Sequence, residues 1–192
     1  MAALPEQKWT PEQYLAYERG SDVKHEYLDG QIYAMAGASE THNLIMFNTS
    51  GLLYIQLRKR PCKAYSSDMR VKVSRTGLYT YPDVVVVCGT SEFEDGHVDT
   101  LLNPKVIIEV LSPSTESYDR GKKALHYRTV PSLQEYLLIA QDSYRIEHYK
   151  RNVNGEWLVI DIIGLDSFVD LGSIECGLAV ADIYEKVSLP AE

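Results

Sequence analysis

Hydrophobic and polar positions along the chain change period several times, and each change marks an element. After Thr10, a favourable N-cap with Pro11 at the first helical position, "PEQYLAYER" keeps helical spacing up to Gly20. "KHEYLDGQIYAM" then alternates about Asp29-Gly30, the strongest short hairpin signal in the chain. Over about 40–59 the spacing is helical again, with Leu44, Phe47, Gly51 and Ile55 on one stripe. Apolar residues spread almost all round this segment, which predicts a central helix. Apolar runs predict strands over 63–73, 82–88 and 105–111, a helix over about 118–129, and strands over 134–140, 144–150 and 156–163. The last two are joined through Asn154-Gly155, and "GLAVADIYEKV" predicts a short closing helix. Together these elements predict a mixed central sheet flanked by helices, of α/β or α+β class. A chain of 192 residues is expected to form one domain over 1–192.

Two strands carry a residue that does not suit them. In "NPKVIIEVLSPS", Glu109 stands among Val106, Ile107, Ile108, Val110 and Leu111, where an unpaired carboxylate costs several kcal/mol or more. In "YPDVVVVC", Asp83 follows Pro82 at the entry to a second buried strand. Alternation puts Glu109 on a face with Ile107 and Leu111, and Asp83 on one with Val85 and Val87. If the strands are neighbours, the two carboxylates repel unless a hard divalent cation joins them. Mg²⁺ suits such a pair, because one or two carboxylates, waters and a substrate phosphate complete its octahedron. Taken singly, Asp83 also fits a turn residue after proline, and Glu109 also fits a buried ion pair with an arginine.

Composition narrows the field. The longest apolar runs, "VVVV" and "VII", fall far short of the roughly 20 residues of a membrane span. The start, "MAALPEQKWTPEQ", lacks a charged region followed by an apolar one, so the expectation is a soluble, cytoplasmic protein with no membrane partner. Three widely spaced cysteines, Cys62, Cys88 and Cys176, predict small buried residues rather than a disulfide framework or a zinc knuckle. The net charge of −8 is the wrong sign for a surface that grips nucleic acid everywhere. Yet residues 58–75 carry seven basic side chains against Asp68 alone, and 119–128 carry four against Asp119. That distribution fits a basic cleft on an acidic body, and equally a solvated strand edge and helix face.

Pro82-Asp83 followed by Glu109 resembles the PD-(D/E)xK nuclease superfamily, the restriction-endonuclease-like fold. More narrowly, "EYLDGQIYAMAG", "SSDMRVKV", "YPDVVVV", "IIEVLSPST" and "YDRGKKALHYRTVPSLQEYLL" resemble, in order, the Uma-type endonuclease family, over about 10–184. The resemblance implies a Mg²⁺- or Mn²⁺-dependent endonuclease cutting DNA, often as a homodimer. Asp83, Glu109 and the backbone carbonyl of Val110 are the implied metal ligands. Leu111 stands where the superfamily motif has lysine, and the resemblance implies that the lysine has moved to the next helix, as Lys123 of Lys-x-x-x-Tyr with Tyr127. Asp119, Lys123 and Tyr127 are spaced four apart, which places them on one helix face; Lys122 lies about 100° round. Lys123 with Asp119 also fits an ordinary surface pair, and Tyr127 fits core packing. Glu26, His42 and Asp68 are implied at the edge of the site. A second reading is a degenerate nuclease fold kept as a binding or regulatory module, for which Leu111 and the acidic total charge speak.

Overall fold

The computed structural model describes residues 8–189. Helix α1 (Pro11–Glu18) begins in a capping box: the Thr10 hydroxyl accepts the Gln13 N–H at 3.2 Å, and the Gln13 side chain accepts the Thr10 N–H at 2.9 Å. It packs on the hairpin of β1 (His25–Leu28) and β2 (Gln31–Ala34) through a tyrosine cluster of Tyr14, Tyr27 and Tyr79. Asp29 and Gly30 both take positive φ at the hairpin turn, as a two-residue connection of this kind requires.

Two sheets organise the rest. One is five-stranded, in the order β2-β1-β5-β4-β7, with β4 (Arg70–Val73), β5 (Leu78–Thr80) and β7 (Thr100–Leu101). The other has six strands in the order β11-β10-β9-β8-β6-β3: β3 (Cys62–Ser66), β6 (Val84–Cys88), β8 (Val106–Val110), β9 (Glu135–Ile139), β10 (Arg145–Arg151) and β11 (Trp157–Ile163). Its central strands β6, β8 and β9 are apolar on both faces because both are covered. On one face lie α2 (Glu40–Leu57), the hairpin of β12 (Phe168–Leu171) and β13 (Cys176–Ala179), and the closing helix α5 (Val180–Ile183). On the other face lie β4 and β5 and a helical segment over 116–127.

That segment is not one plain α-helix. It comprises α3 (Glu116–Tyr118), a π-helical turn (Asp119–Lys123) and α4 (Ala124–Tyr127). The run over 63–73 is likewise two strands in different sheets. A turn closed by the Met69 N–H on the Ser66 carbonyl, 3.1 Å, separates β3 from β4.

Helix α2 is not central. It buries Ile45, Thr49, Leu53 and Leu57 at i, i+4 spacing, while Phe47 and Tyr54 are 72% and 67% exposed and Ile55 is also exposed. The expected stripe of Leu44, Phe47, Gly51 and Ile55 is therefore largely the outward one. The cysteine expectation holds only for Cys176, which is buried and free. Cys62 and Cys88 form a disulfide, since β3 and β6 pair antiparallel with these two residues directly opposite.

A buried polar network lies in the five-stranded sheet. Arg70 reaches Asp99 at 3.0 Å, Thr100 at 2.9 Å and the Tyr81 hydroxyl at 2.8 Å. Tyr81 in turn donates to Glu18, which also accepts from the His25 backbone and lies 2.9 Å from its ring. Arg19 binds Asp95 and Asp99, each at 2.8 Å.

Candidate metal centre

Strand register creates the centre. β6 and β8 pair antiparallel with Val84 opposite Ile108, so one step further Asp83 stands opposite Glu109. Residues opposite one another share a face, here the one covered by the 116–127 segment. Asp83 ties the strand ends together: its Oδ2 accepts the Val110 N–H at 2.7 Å. The same oxygen lies 3.2 Å from His42 Nε2 on the first turn of α2. Burial alone lowers the His42 pKa, but Asp83 and the Val110 backbone carry it above the ordinary histidine range. The other ring nitrogen, Nδ1, is buried without a hydrogen-bond partner among the described residues.

The helical segment supplies the cation. Lys123 is buried, with Nζ 2.9 Å from Glu109 Oε1, 3.0 Å from Glu26 Oε1 and 3.5 Å from Asp119 Oδ1. Burial opposes its charge, yet Glu109, Tyr127, Glu26 and Asp119 together push its pKa well above the ordinary lysine value. Tyr127 is buried and donates to the same Glu109 oxygen at 2.8 Å. Glu26 arrives from β1 and also accepts the Thr80 hydroxyl.

Negative charge is in surplus. Four carboxylates, Glu26, Asp83, Glu109 and Asp119, face one lysine and one imidazole. Burial pushes Glu109 up to about 8, with Asp119 and Asp83 adding to the rise and Lys123 opposing it. Asp119 is raised as well, first by burial. A site that raises its own carboxylates accommodates another cation. Among the described residues, Asp83 Oδ1 and Glu109 Oε2 accept no hydrogen bond, so each carboxylate keeps an oxygen for a ligand. No three His, Cys, Asp or Glu side chains among the described residues already form a cage. The donor set still fits a hard ion that keeps most of its waters and takes one or two carboxylates.

Of the residues singled out in the sequence, Asp83, Glu109, Val110, Lys123, Glu26 and His42 come together. Asp68 does not: its side chain is 85% exposed and pairs with Lys24 at the surface. Leu111, in the motif lysine's place, is buried in the core, which closes that position to an amine. Asp119 was visible only as a helix-face neighbour of Lys123, yet it is buried within the centre. The spacing "DRGKK" held the signal, because an acid and a base four apart on a buried face imply a shared charge site.

The comparisons with known proteins agree with this architecture. The model of the Uma2 family, described as "Putative restriction endonuclease", matches residues 11–181. Two uncharacterized proteins of Synechocystis sp. are similar: one, slr1290, is 41% identical and matches over 97% of this chain and 96% of its own. The other, sll1609, is 38% identical over 84% of this chain and 91% of its own. The fold is similar to that of a crystal structure titled a putative nuclease belonging to DUF820, from Anabaena variabilis. That match has a TM-score of 0.77 at 18% identity, over 92% of this chain and 98% of that one.

Proposed function

The chain belongs to the Uma2 family, and on that premise we propose that it is a Mg²⁺- or Mn²⁺-dependent endonuclease hydrolysing DNA phosphodiester bonds. The observation that carries this reading is the reach of Lys123 to Glu109 across from Asp83, an acid-acid-lysine set assembled although position 111 is leucine. Asp83, Glu109 and the Val110 carbonyl would hold the ion. When bound, a divalent ion makes water more acidic and offsets charge on a phosphoryl oxygen.

The chain's own groups do the rest. Lys123 keeps its proton among its carboxylates, and so presents a fixed positive charge where negative charge develops on the phosphate. Tyr127 and Lys123 occupy Glu109 Oε1, so Oε2 is the oxygen that would hold the ion. His42 and the Val110 N–H fix Asp83 in the same manner. The surrounding apolar residues Val85, Ile107 and Leu111 keep these charges effective by excluding water.

Nicking of supercoiled plasmid with Mg²⁺ or Mn²⁺ tests the reading. Wild type is expected to cut, and Asp83→Ala, Glu109→Ala and Lys123→Ala to lose roughly 100-fold or more while remaining folded. A wild type that cuts nothing with either metal and shows no metal binding by calorimetry would replace this reading with the degenerate binding module.

A further inference from the structure

The outward face of α2 is unusual for a solvated helix. Phe47, Gly51, Tyr54 and Arg58 follow one another at spacings of four, three and four, so they form one outward stripe, exposed except at the half-buried Gly51. Beside it the edge strand β3 presents Cys62, Ala64 and Ser66, and a groove of about 560 Å³ runs between helix and strand. Ser50, Tyr54 and Leu57 line its helix side, Phe47 and Gly51 adjoin it on the same helix stripe without lining it, and Arg58, Arg60 and Lys63 ring it. Among the described residues no carboxylate lines it, and Glu175 pairs with Arg60 from outside at 3.6 Å.

Its positive charge is also largely unspent. Arg60 is tied to the carbonyls of Ile174 and Glu175, but the side chains of Arg58, Lys59 and Lys63 form no ion pair among the described residues. Of the other three basic residues of the 58–75 run, Arg70 is used in the buried network and Lys72 on Glu94, and Arg75 lies beyond β4, away from the groove lining. The groove lies on the α2 face of the six-stranded sheet, opposite the face that carries Asp83 and Glu109, and both its walls lead to the strand end where His42 reaches Asp83 from α2. Ser66 pairs with Val84, the residue after Asp83. Along α2, His42 lies five residues before Phe47 and twelve before Tyr54, roughly 7 and 18 Å along the helix axis.

We propose that this groove binds one unpaired strand of nucleic acid, phosphates on Arg58 and Lys63 and bases against Phe47 and Tyr54, and delivers it to the centre. Cations that track a backbone beside exposed aromatics are what a single strand requires, and stacking makes such a site tolerant of sequence. The groove deepens the nuclease reading by naming the strand beside the scissile bond, and it rests on that reading for the delivery step alone.

Gly51 allows a test that spares the fold. A Cβ there would meet nothing within 4 Å, and replacing a mid-helix glycine favours the helix. Binding of a fluorescein-labelled single-stranded DNA 12-mer is measured by anisotropy in EDTA, so that cleavage plays no part. Gly51→Glu is expected to weaken binding about tenfold and Gly51→Lys to strengthen it. The double variant Arg58→Gln/Lys63→Gln is expected to lower the salt slope by about 0.7 per cation removed. Tyr54→Ala is expected to weaken binding at unchanged slope. Equal affinity of wild type and both Gly51 variants would overturn the groove, as would a preference for duplex unaffected by Tyr54→Ala. A dimer that dissociates on Gly51→Glu would also overturn it, assigning the face to a second copy. Strand binding that follows groove charge in a protein that never cuts would leave the groove standing and remove the nuclease reading. Cutting unaffected by any groove variant would do the reverse.

Discussion

Two charged clusters among the described residues, one partly exposed and one buried, are built on opposite principles. Around Arg70 each carboxylate has its own partners: Arg19 and Arg70 pair with Asp95 and Asp99, and Glu18 accepts from the Tyr81 hydroxyl and the His25 backbone. Pairing there moves ionisations toward the charged forms, holding Asp99 far below and Arg19 above their ordinary values, in each case chiefly through their mutual hydrogen bonds. Around Lys123 the carboxylates outnumber the cations, and Glu109 and Asp119 are pushed toward their neutral forms instead. A matched cluster holds the five-stranded sheet together. An unmatched one is a structural liability unless a further cation arrives, and so the surplus, rather than burial, distinguishes a site from a staple.

The sharpest way to break this contrast is to remove one member from each cluster. Arg70→Met leaves Asp99 to Arg19 alone and the Tyr81 and Thr100 hydroxyls without their buried donor, and is expected to cost about 3 kcal/mol in urea unfolding. Glu109→Gln in EDTA is expected to cost nothing or to stabilise. A large loss from Glu109→Gln would show that the second cluster is a staple too.

Metal provides the next largest effect. At ten times its Kd, Mg²⁺ is expected to stabilise wild type by ~1.4 kcal/mol and Glu109→Gln by much less. Equal shifts in thermal melts of the two proteins would place the ion elsewhere.

The smallest effects are in pH, and they have opposite signs. Asp99 is depressed, so the unfolded chain takes up its proton first as pH falls. Its stabilisation is full above the ordinary carboxylate range and is lost as pH falls through and below about 4. Because Asp99 is partly exposed, about 1 kcal/mol is expected, removed in Asp99→Asn. Glu109 is raised, so without metal stability falls as pH climbs from the ordinary glutamate range to about 8. Guanidinium melts of Glu109→Gln should lack that falling limb.

Much of this was legible in the chain. The two apolar strands with misplaced acids, the face shared by Asp83 with Val85 and by Glu109 with Ile107, and the Asn154-Gly155 hairpin all follow from period-two alternation. The split between β3 and β4 was not, because Ser67, Asp68 and Met69 interrupt the pattern for only three residues, too few to mark a change of sheet. The sidedness of α2 was hidden because its outward face is as apolar as its inward one, so periodicity had nothing to contrast. The Cys62–Cys88 bridge depends on strand register, which spacing along the chain does not encode. Short elements such as β7 and the β12–β13 hairpin draw their stability from neighbours rather than from their own pattern.

The π-turn over Asp119–Lys123 has a further consequence, for how length variation acts on this protein. A π-turn holds one more residue per loop of hydrogen bonds than the α-helix on either side. Deleting a single residue there would let the segment relax into continuous α-helix, with its ends still anchored. Lys123, next to α4 and four residues before Tyr127, would keep its direction toward Glu109, because the wider turn is what absorbs the extra residue. Chains of the same fold but one residue shorter here would thus retain the lysine, and a gap of one position inside the turn would separate them.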